Sequence, residues 1–176
     1  MYLAAHLESV LGWEAGPQDV MSGYGAGGDV ANGSFEERAP FGGFGWRYRD
    51  APGVERVHDP DGAFDGEHYL RLTKDAAIHQ PNPARPGQTV TATLRLRGGA
   101  EGDVAQITLD FRDQEMWTDP LSGLASGEAL TTEWAEYTIT AAAPDAGARP
   151  VFHTRLTLQA GFESTVEVDL VEMTTE

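Results

Sequence analysis

The chain has no cysteine. No disulfide can staple its loops, and no thiol can serve as nucleophile, redox centre or soft metal ligand. Positive charge is scarce: 12 Lys and Arg stand against 28 Asp and Glu, a formal net charge of −16. Such a surface repels nucleic acid and anionic membranes, so neither is expected as a partner. No apolar run approaches the roughly 20 residues of a membrane span, and the N-terminus lacks a basic-then-apolar leader. Two placements remain, a cytoplasmic protein or an excised fragment of a longer secreted chain, and the organisation below favours the second. The signatures of catalysis are missing as well: there is no Gly-x-Ser-x-Gly, no His-Glu-x-x-His and no phosphate-binding loop. With 28 acids, Asp/Glu pairs arise by chance and are no sign of a glycosidase. The expectation is a domain without catalysis of its own.

What is present belongs to a turn-rich β protein. Forty per cent hydrophobic residues suffice for a core, and 21 glycines and 10 prolines are many for a helical chain. "MYLAAHLESVLGW" carries Leu3, Leu7, Val10 and Leu11 at helical spacing, which predicts a short helix over 2–12 ended by Gly12. The glycine-rich stretch after it reads as a linker. Residues 1–29 are therefore read as a helix and linker, either the tail of a preceding domain or docked on the body. Residues 30–176 form the body.

From Val30 onward the apolar period becomes two. "HYLRLT", "QTVTATLRLRGG", "DVAQITLDFRD", "WAEYTIT", "VFHTRLTLQAG" and "STVEVDLVEM" each alternate, the last with Val166, Val168 and Leu170 on one face. "PDG", "PGQ", "RGGAEGD" and "PDAGARP" supply the turns between them. Six to nine short strands with one apolar face each predict an all-β, antiparallel β-sandwich.

The ordered set "NGSFEE", "FGWRY", "DGAFDGEHYLRLT", "IHQP", "ARPGQTVTATLRLRGG", "LTTEWAEYTIT" and "VEVDLVEM" resembles the β-jelly-roll carbohydrate-binding modules of families four, nine and twenty-two, of the galactose-binding-like group. The resemblance covers roughly residues 30–174. It implies a noncatalytic, secreted module that binds a polysaccharide or oligosaccharide, monomeric by itself and tethered to a catalytic domain. It also implies a structural calcium ion held by the Ser34 carbonyl, Glu36, Asp65, the His68 carbonyl and Asp169. Calcium takes six to eight hard oxygens, and close carboxylates need a cation between them. The alternative for Asp169 is a solvent-facing strand aspartate beside Glu167.

A sugar-binding face needs aromatic rings and hydrogen-bonding groups. Trp134 is expected in the core. Trp46 follows glycines that can either present it or tuck it under a loop. Trp117, in a polar loop, is the expected stacking residue. Arg71, Arg95, Arg97, Arg112 and Arg155 alternate with apolar residues and point outward. If their strands shared a sheet, five of the 12 basic residues would line one groove, suited to an acidic polysaccharide. The same arginines can instead pair across strands with Asp110 and its neighbours. His79, Gln80, His153, Thr157 and Gln159 are further candidate contacts. Three readings follow: a glycan-binding module, an accessory sandwich without sugar affinity, and a small lyase using His153, Arg155 and a tyrosine.

Overall fold

In a computed structural model, the described residues are 30, 32–36, 46–48, 52–113, 119–145, 151 and 153–176. The expected helix and linker over 1–29, and Trp117, lie outside them. Ten strands follow in chain order: β1 (Arg47–Tyr48), β2 (Val54–His58), β3 (His68–Thr73), β4 (Ala77–Pro83), β5 (Thr89–Gly98), β6 (Val104–Arg112), β7 (Ser122–Ala129), β8 (Ala135–Ala142), β9 (His153–Ala160) and β10 (Thr165–Thr175). They form two five-stranded sheets, β1-β4-β9-β6-β7 and β2-β3-β10-β5-β8, with antiparallel pairing throughout. The architecture is the β-sandwich that the alternating pattern predicts.

The inward residues of each strand make the core. Leu70, Leu72, Leu94, Leu96, Val166 and Val168 from one sheet meet Ile78, Ile107, Leu109, Phe111, Leu156 and Leu158 from the other, all essentially inaccessible. Full burial of one such side chain contributes about 1.5–3 kcal/mol, which is why the period-two pattern governs the fold.

Strand β10 departs from simple alternation. Its register against β5 shifts between Asp169 and Val171, and Leu170 adopts φ 43°. This bulge turns Leu170 out of the core face assigned to it from the sequence, and Val171 and Met173 fill that face instead. Asp169 is completely buried, so it is not a solvent-facing strand residue.

The segment "NGSFE" is tied to this bulge. Asn32 (φ 51°) and Phe35 (φ 58°) take left-handed conformations, and the Phe35 amide donates to the Asn32 carbonyl at 3.2 Å. Val171 N donates to Gly33 O at 2.9 Å, and a Cβ on Gly33 would lie 2.1 Å from the Val171 carbonyl oxygen, so only glycine fits there. Arg56 on β2 donates to the carbonyls of Phe35 (2.7 Å) and Glu36 (2.6 Å) and pins the segment from the other side. Phe35 then packs on Trp46 with ring centroids 5.5 Å apart.

Candidate functional site

The outer face of the β1-β4-β9-β6-β7 sheet carries the most coherent polar surface. Cross-strand register places His79, Thr157, Thr108 and Ala125 in one row, and Pro81, Arg155, Asp110 and Gly123 in the next. Gln159, Gln106 and Gly127 continue it toward one end, Pro83, His153 and Arg112 toward the other. On edge strand β7 the outward positions are Gly123, Ala125, Gly127 and Ala129, which makes that side of the face low. A Cβ on Gly127 would meet nothing within 4 Å.

Asp110 organises this surface. Its buried carboxylate accepts from Arg112 (Nε–Oδ1 2.6 Å, Nη2–Oδ2 3.3 Å) and from Arg155 (Nη2–Oδ2 2.7 Å, Nε–Oδ2 3.2 Å). Two guanidinium groups thus share one carboxylate, and the charge of Asp113 also reaches this cluster. Arg155 keeps 28% of its side chain exposed, whereas Arg112 keeps 7%. His153 beside them is buried, and its pKa is pushed down to about 4, first by burial and then by the charge of Arg112. It is neutral at physiological pH. The Thr157 hydroxyl, in the middle of the face, has no hydrogen-bond partner. Gln159 donates weakly to the Asp75 carbonyl at 3.4 Å.

The expected single arginine face does not exist. Arg112 and Arg155 lie on this sheet, while Arg71, Arg95 and Arg97 lie on the other. There, Glu167 receives Arg71 (Nε–Oε1 2.8 Å) and Arg97 (Nε–Oε2 2.5 Å), and Arg95 pairs with Glu136 at 2.7 Å. A layer of rings covers them. Trp134 lies 4.4 Å from the Arg97 guanidinium and edge-on to Tyr69 at 5.7 Å, and Phe64 lies 4.8 Å from that of Arg95. Arg95 and Arg97 are thus committed to cross-strand carboxylates and aromatic faces rather than to a groove shared with Arg155. Trp134 is half-buried, with its Nε1 donating to the Gly62 carbonyl at 2.9 Å, and covers the outside of a sheet rather than filling the core between the two.

Two further candidates do not reach the surface. Trp46 is 3% exposed, stacked on Phe35 with its Nε1 donating to the Asn32 carbonyl at 3.3 Å, so it cannot offer a ring to a sugar. Gln80 shares the inward face of β4 with Ile78 and is completely buried. Of the tyrosines whose side chains are described, neither stands beside His153 and Arg155. Tyr69 and Tyr137 belong to β3 and β8, in the sheet opposite to His153 and Arg155.

Two residues of the calcium expectation, Glu36 and Asp169, hold backbone amides at the end of the β2–β3 connection over 59–67. Glu36 Oε1 accepts the amides of Glu67 and His68 at 2.8 Å each, and its Oε2 lies 2.8 Å from His68 Nδ1. Burial alone would raise the Glu36 pKa, but the bonds to His68 and to the two amides outweigh it and hold the carboxyl below its ordinary value. A Cβ on Gly66 (φ 71°) would lie 2.4 Å from Glu36 Oε1. Asp169 Oδ2 accepts the amides of Phe64 (2.8 Å) and Asp65 (2.9 Å), and Oδ1 that of Leu170 (2.8 Å). Its pKa is raised, chiefly by burial and further by the neighbouring Asp65 charge, against the lowering pull of those amides. Ser34 joins this end through the Gly33–Val171 bond. Each of the two carboxylates keeps one oxygen with only a single hydrogen-bond donor, but the carboxylates of Glu36, Asp65 and Asp169 do not all lie within 4.8 Å of one another, so a hard cation would have to draw them together.

Sequence reasoning missed Arg56 and the role of Glu167. Arg56 stands on the inward face of an edge strand, a position that looks apolar by register. Only the nearby backbone carbonyls, which no sequence pattern reports, explain it.

No protein-family model matches the chain, and no curated protein matches it. Solved structures do match. The enzymatically active domain of tailspike protein 4 from bacteriophage CBA120 superposes with a TM-score of 0.63 at 12% identity, over 85% of this chain and 21% of that one. The chain thus spans about a fifth of that tailspike domain. The first xylan-binding family 22 module of a Paenibacillus barcinonensis protein matches with a TM-score of 0.58 at 15% identity, over 81% of this chain and 90% of its own. A family 61 carbohydrate-binding module solved with β-1,4-galactotriose gives 0.54 at 15% identity, over 84% and 97%. At these identities the likeness is one of fold: the chain has the β-sandwich of carbohydrate-binding modules.

Proposed function

We propose that this chain is a noncatalytic glycan-binding module, one domain of a larger secreted polysaccharide-active enzyme. The ligand lies across the outer face of the β1-β4-β9-β6-β7 sheet. The observation that carries this reading is the row of His79, Thr157, Thr108 and Ala125 beside the Arg155–Asp110–Gly123 row, bounded by a strand whose outward residues are glycine and alanine. A saccharide needs such a surface, with polar groups at fixed strand spacing and room on one side. Arg155 and Gln159 bond to sugar hydroxyls. Trp117, in the β6–β7 connection, supplies the stacking ring. The guanidinium of Arg155, 28% exposed at this face, favours an acidic polysaccharide. The xylan-binding and galactotriose-bound relatives in fold support the class of ligand and make neutral glycans the competing substrates.

Calcium completes the proposal at the other site, held by the Ser34 and His68 carbonyls, Glu36, Asp65 and Asp169. Its contribution is structural: it offsets the repulsion between Asp65 and Asp169 and ties the 59–67 connection to β10.

One observation favours a different reading. The Asp110 clamp satisfies its arginines internally, as an accessory sandwich without sugar affinity would. Affinity electrophoresis in calcium decides between them, with gels containing xylan, β-1,4-galactan, polygalacturonate or alginate. Retardation on the acidic gels, lost in Trp117→Ala and Arg155→Ala while the melting temperature holds, is the expected result. Retardation on neutral gels alone would remove the acidic preference. No retardation on any gel would leave the accessory sandwich.

A further inference from the structure

At the outer corner of the second sheet, three side chains converge that neither the glycan face nor the calcium set uses. His58 and His68 are direct cross-strand partners at the end of the β2–β3 pair, with ring centroids 4.6 Å apart. Glu67 precedes His68, and its Oε2 lies 4.0 Å from His58 Nδ1. One ligand atom from each of the three lies within 4.8 Å of the others, a convergence found nowhere else among the described residues. We infer that His58, Glu67 and His68 form a binding site for a borderline divalent transition ion of the Zn²⁺ and Ni²⁺ class.

The donor chemistry separates this site from the calcium set. Two imidazoles and one carboxylate suit zinc, nickel or copper, whereas calcium takes oxygens. Three protein ligands leave a further coordination position for water or an incoming group. The arrangement also has the outer support that metal-binding histidines use. Glu36 Oε2 lies 2.8 Å from His68 Nδ1, which fixes the ring and leaves Nε2 for the metal. Glu36 is itself held by the amides of Glu67 and His68, the two residues that supply ligands. His58 and Glu67 have side chains 59% and 62% exposed, so small rotations can bring the three atoms to bonding distance without disturbing the core. A net charge of −16 draws cations to the surface in general, and the paired imidazoles give this corner its selectivity.

The test is isothermal titration calorimetry of the full chain with zinc chloride in saturating calcium, which keeps the oxygen-rich site occupied. A single zinc site is expected, with affinity reduced about tenfold or more in His58→Ala and in Glu67→Gln. Neither variant removes a buried group, so both keep the metal-free melting temperature of the parent. Absence of zinc binding would overturn the inference, as would zinc binding that both variants retain or that calcium abolishes. None of these outcomes depends on glycan binding, which is read on the opposite sheet.

Discussion

Truncating Asp169 to alanine isolates what holds the 59–67 connection to the body of the sandwich. The carboxylate is fully buried and accepts three backbone amides at 2.8–2.9 Å, from Phe64, Asp65 and Leu170. A hydrogen bond to a charged group contributes about 1.5–3 kcal/mol, so the gross loss is large. Two effects reduce it. Burial and the Asp65 charge raise the Asp169 pKa, so part of the gain is already spent on keeping the group ionised. Phe64 and Asp65 are exposed, and their freed amides can take water. A net loss of about 2–4 kcal/mol remains. For a domain near 150 residues each kcal/mol moves the melting temperature by about 2–4 °C, so a fall of about 5–15 °C is expected. The sign of the pH effect follows from the raised pKa. The folded state holds the proton more tightly than the unfolded one, so this group favours the fold at low pH and loses that advantage as pH rises through its folded pKa. A cation beside the carboxylate would restore it at neutral pH. The assay is a thermal melt at neutral pH in chelator and in calcium, for the parent, Asp169→Ala and Asp169→Asn. Calcium should raise only the parent, and Asp169→Asn, which keeps one acceptor oxygen, should fall less than Asp169→Ala. An Asp169→Ala melt equal to the parent in chelator would refute the anchoring argument. A parent melt indifferent to calcium would refute the calcium proposal and leave the anchor standing.

Substitutions at His153 and Trp46 probe the glycan face and the tryptophan stacked on Phe35. His153 stays neutral in the fold down to about pH 4, against an ordinary value of 6.5, so only the unfolded chain takes up its proton in between. Stability from this group should therefore fall by up to about 3 kcal/mol as pH drops from 7 to 4. Urea unfolding should show the parent's advantage over His153→Gln shrinking across that range, and a pH-independent gap would contradict the assigned burial. Trp46→Ala should cost about 3–5 kcal/mol in the same assay, since it empties a site against Phe35. Trp46→Phe should keep most of the packing, lose about 1 kcal/mol with the bond to Asn32, and leave gel retardation unchanged; a loss of retardation in a folded variant would return Trp46 to the binding surface.

The strands that could be read from sequence are those buried on one face along their whole length. β5, β6 and β9 keep strict alternation because each has neighbours on both sides and the opposite sheet beneath. β7, "SGLASGEA", shows no apolar period because it is an edge strand with one neighbour, so little burial selects its side chains. β4 carries Pro81 and Pro83, which argue against a strand, but β1 pairs only with Ile78 and His79. Among the described residues the prolines fall beyond the pairing with β1, where a missing amide costs little. The β10 bulge was hidden for a similar reason. Leu170 and Val171 are both apolar, and only the amide-binding demand of Asp169 decides which one turns inward.

Alternation reports whether a side chain faces in or out, but not on which of two sheets it stands. That information lies in the pairing order, β3-β10-β5 on one side and β4-β9-β6 on the other, which depends on long-range contacts. The five arginines therefore had the right orientation and the wrong company. Each group meets its own carboxylate, Glu167 on β10 or Asp110 on β6, at nearly the same bond lengths. What separates them is the surroundings. Over Glu167 the rings of Trp134 and Tyr69 close on the guanidinium of Arg97, so that one ion pair carries an aromatic cover. Beside Asp110 the row runs out to Gly123, which has no side chain of its own to lay over Arg155. An ion pair under an aromatic cover has only a structural part to play. One beside a glycine-lined strand still has a donor to offer, and for that reason the glycan is placed on the second of these faces.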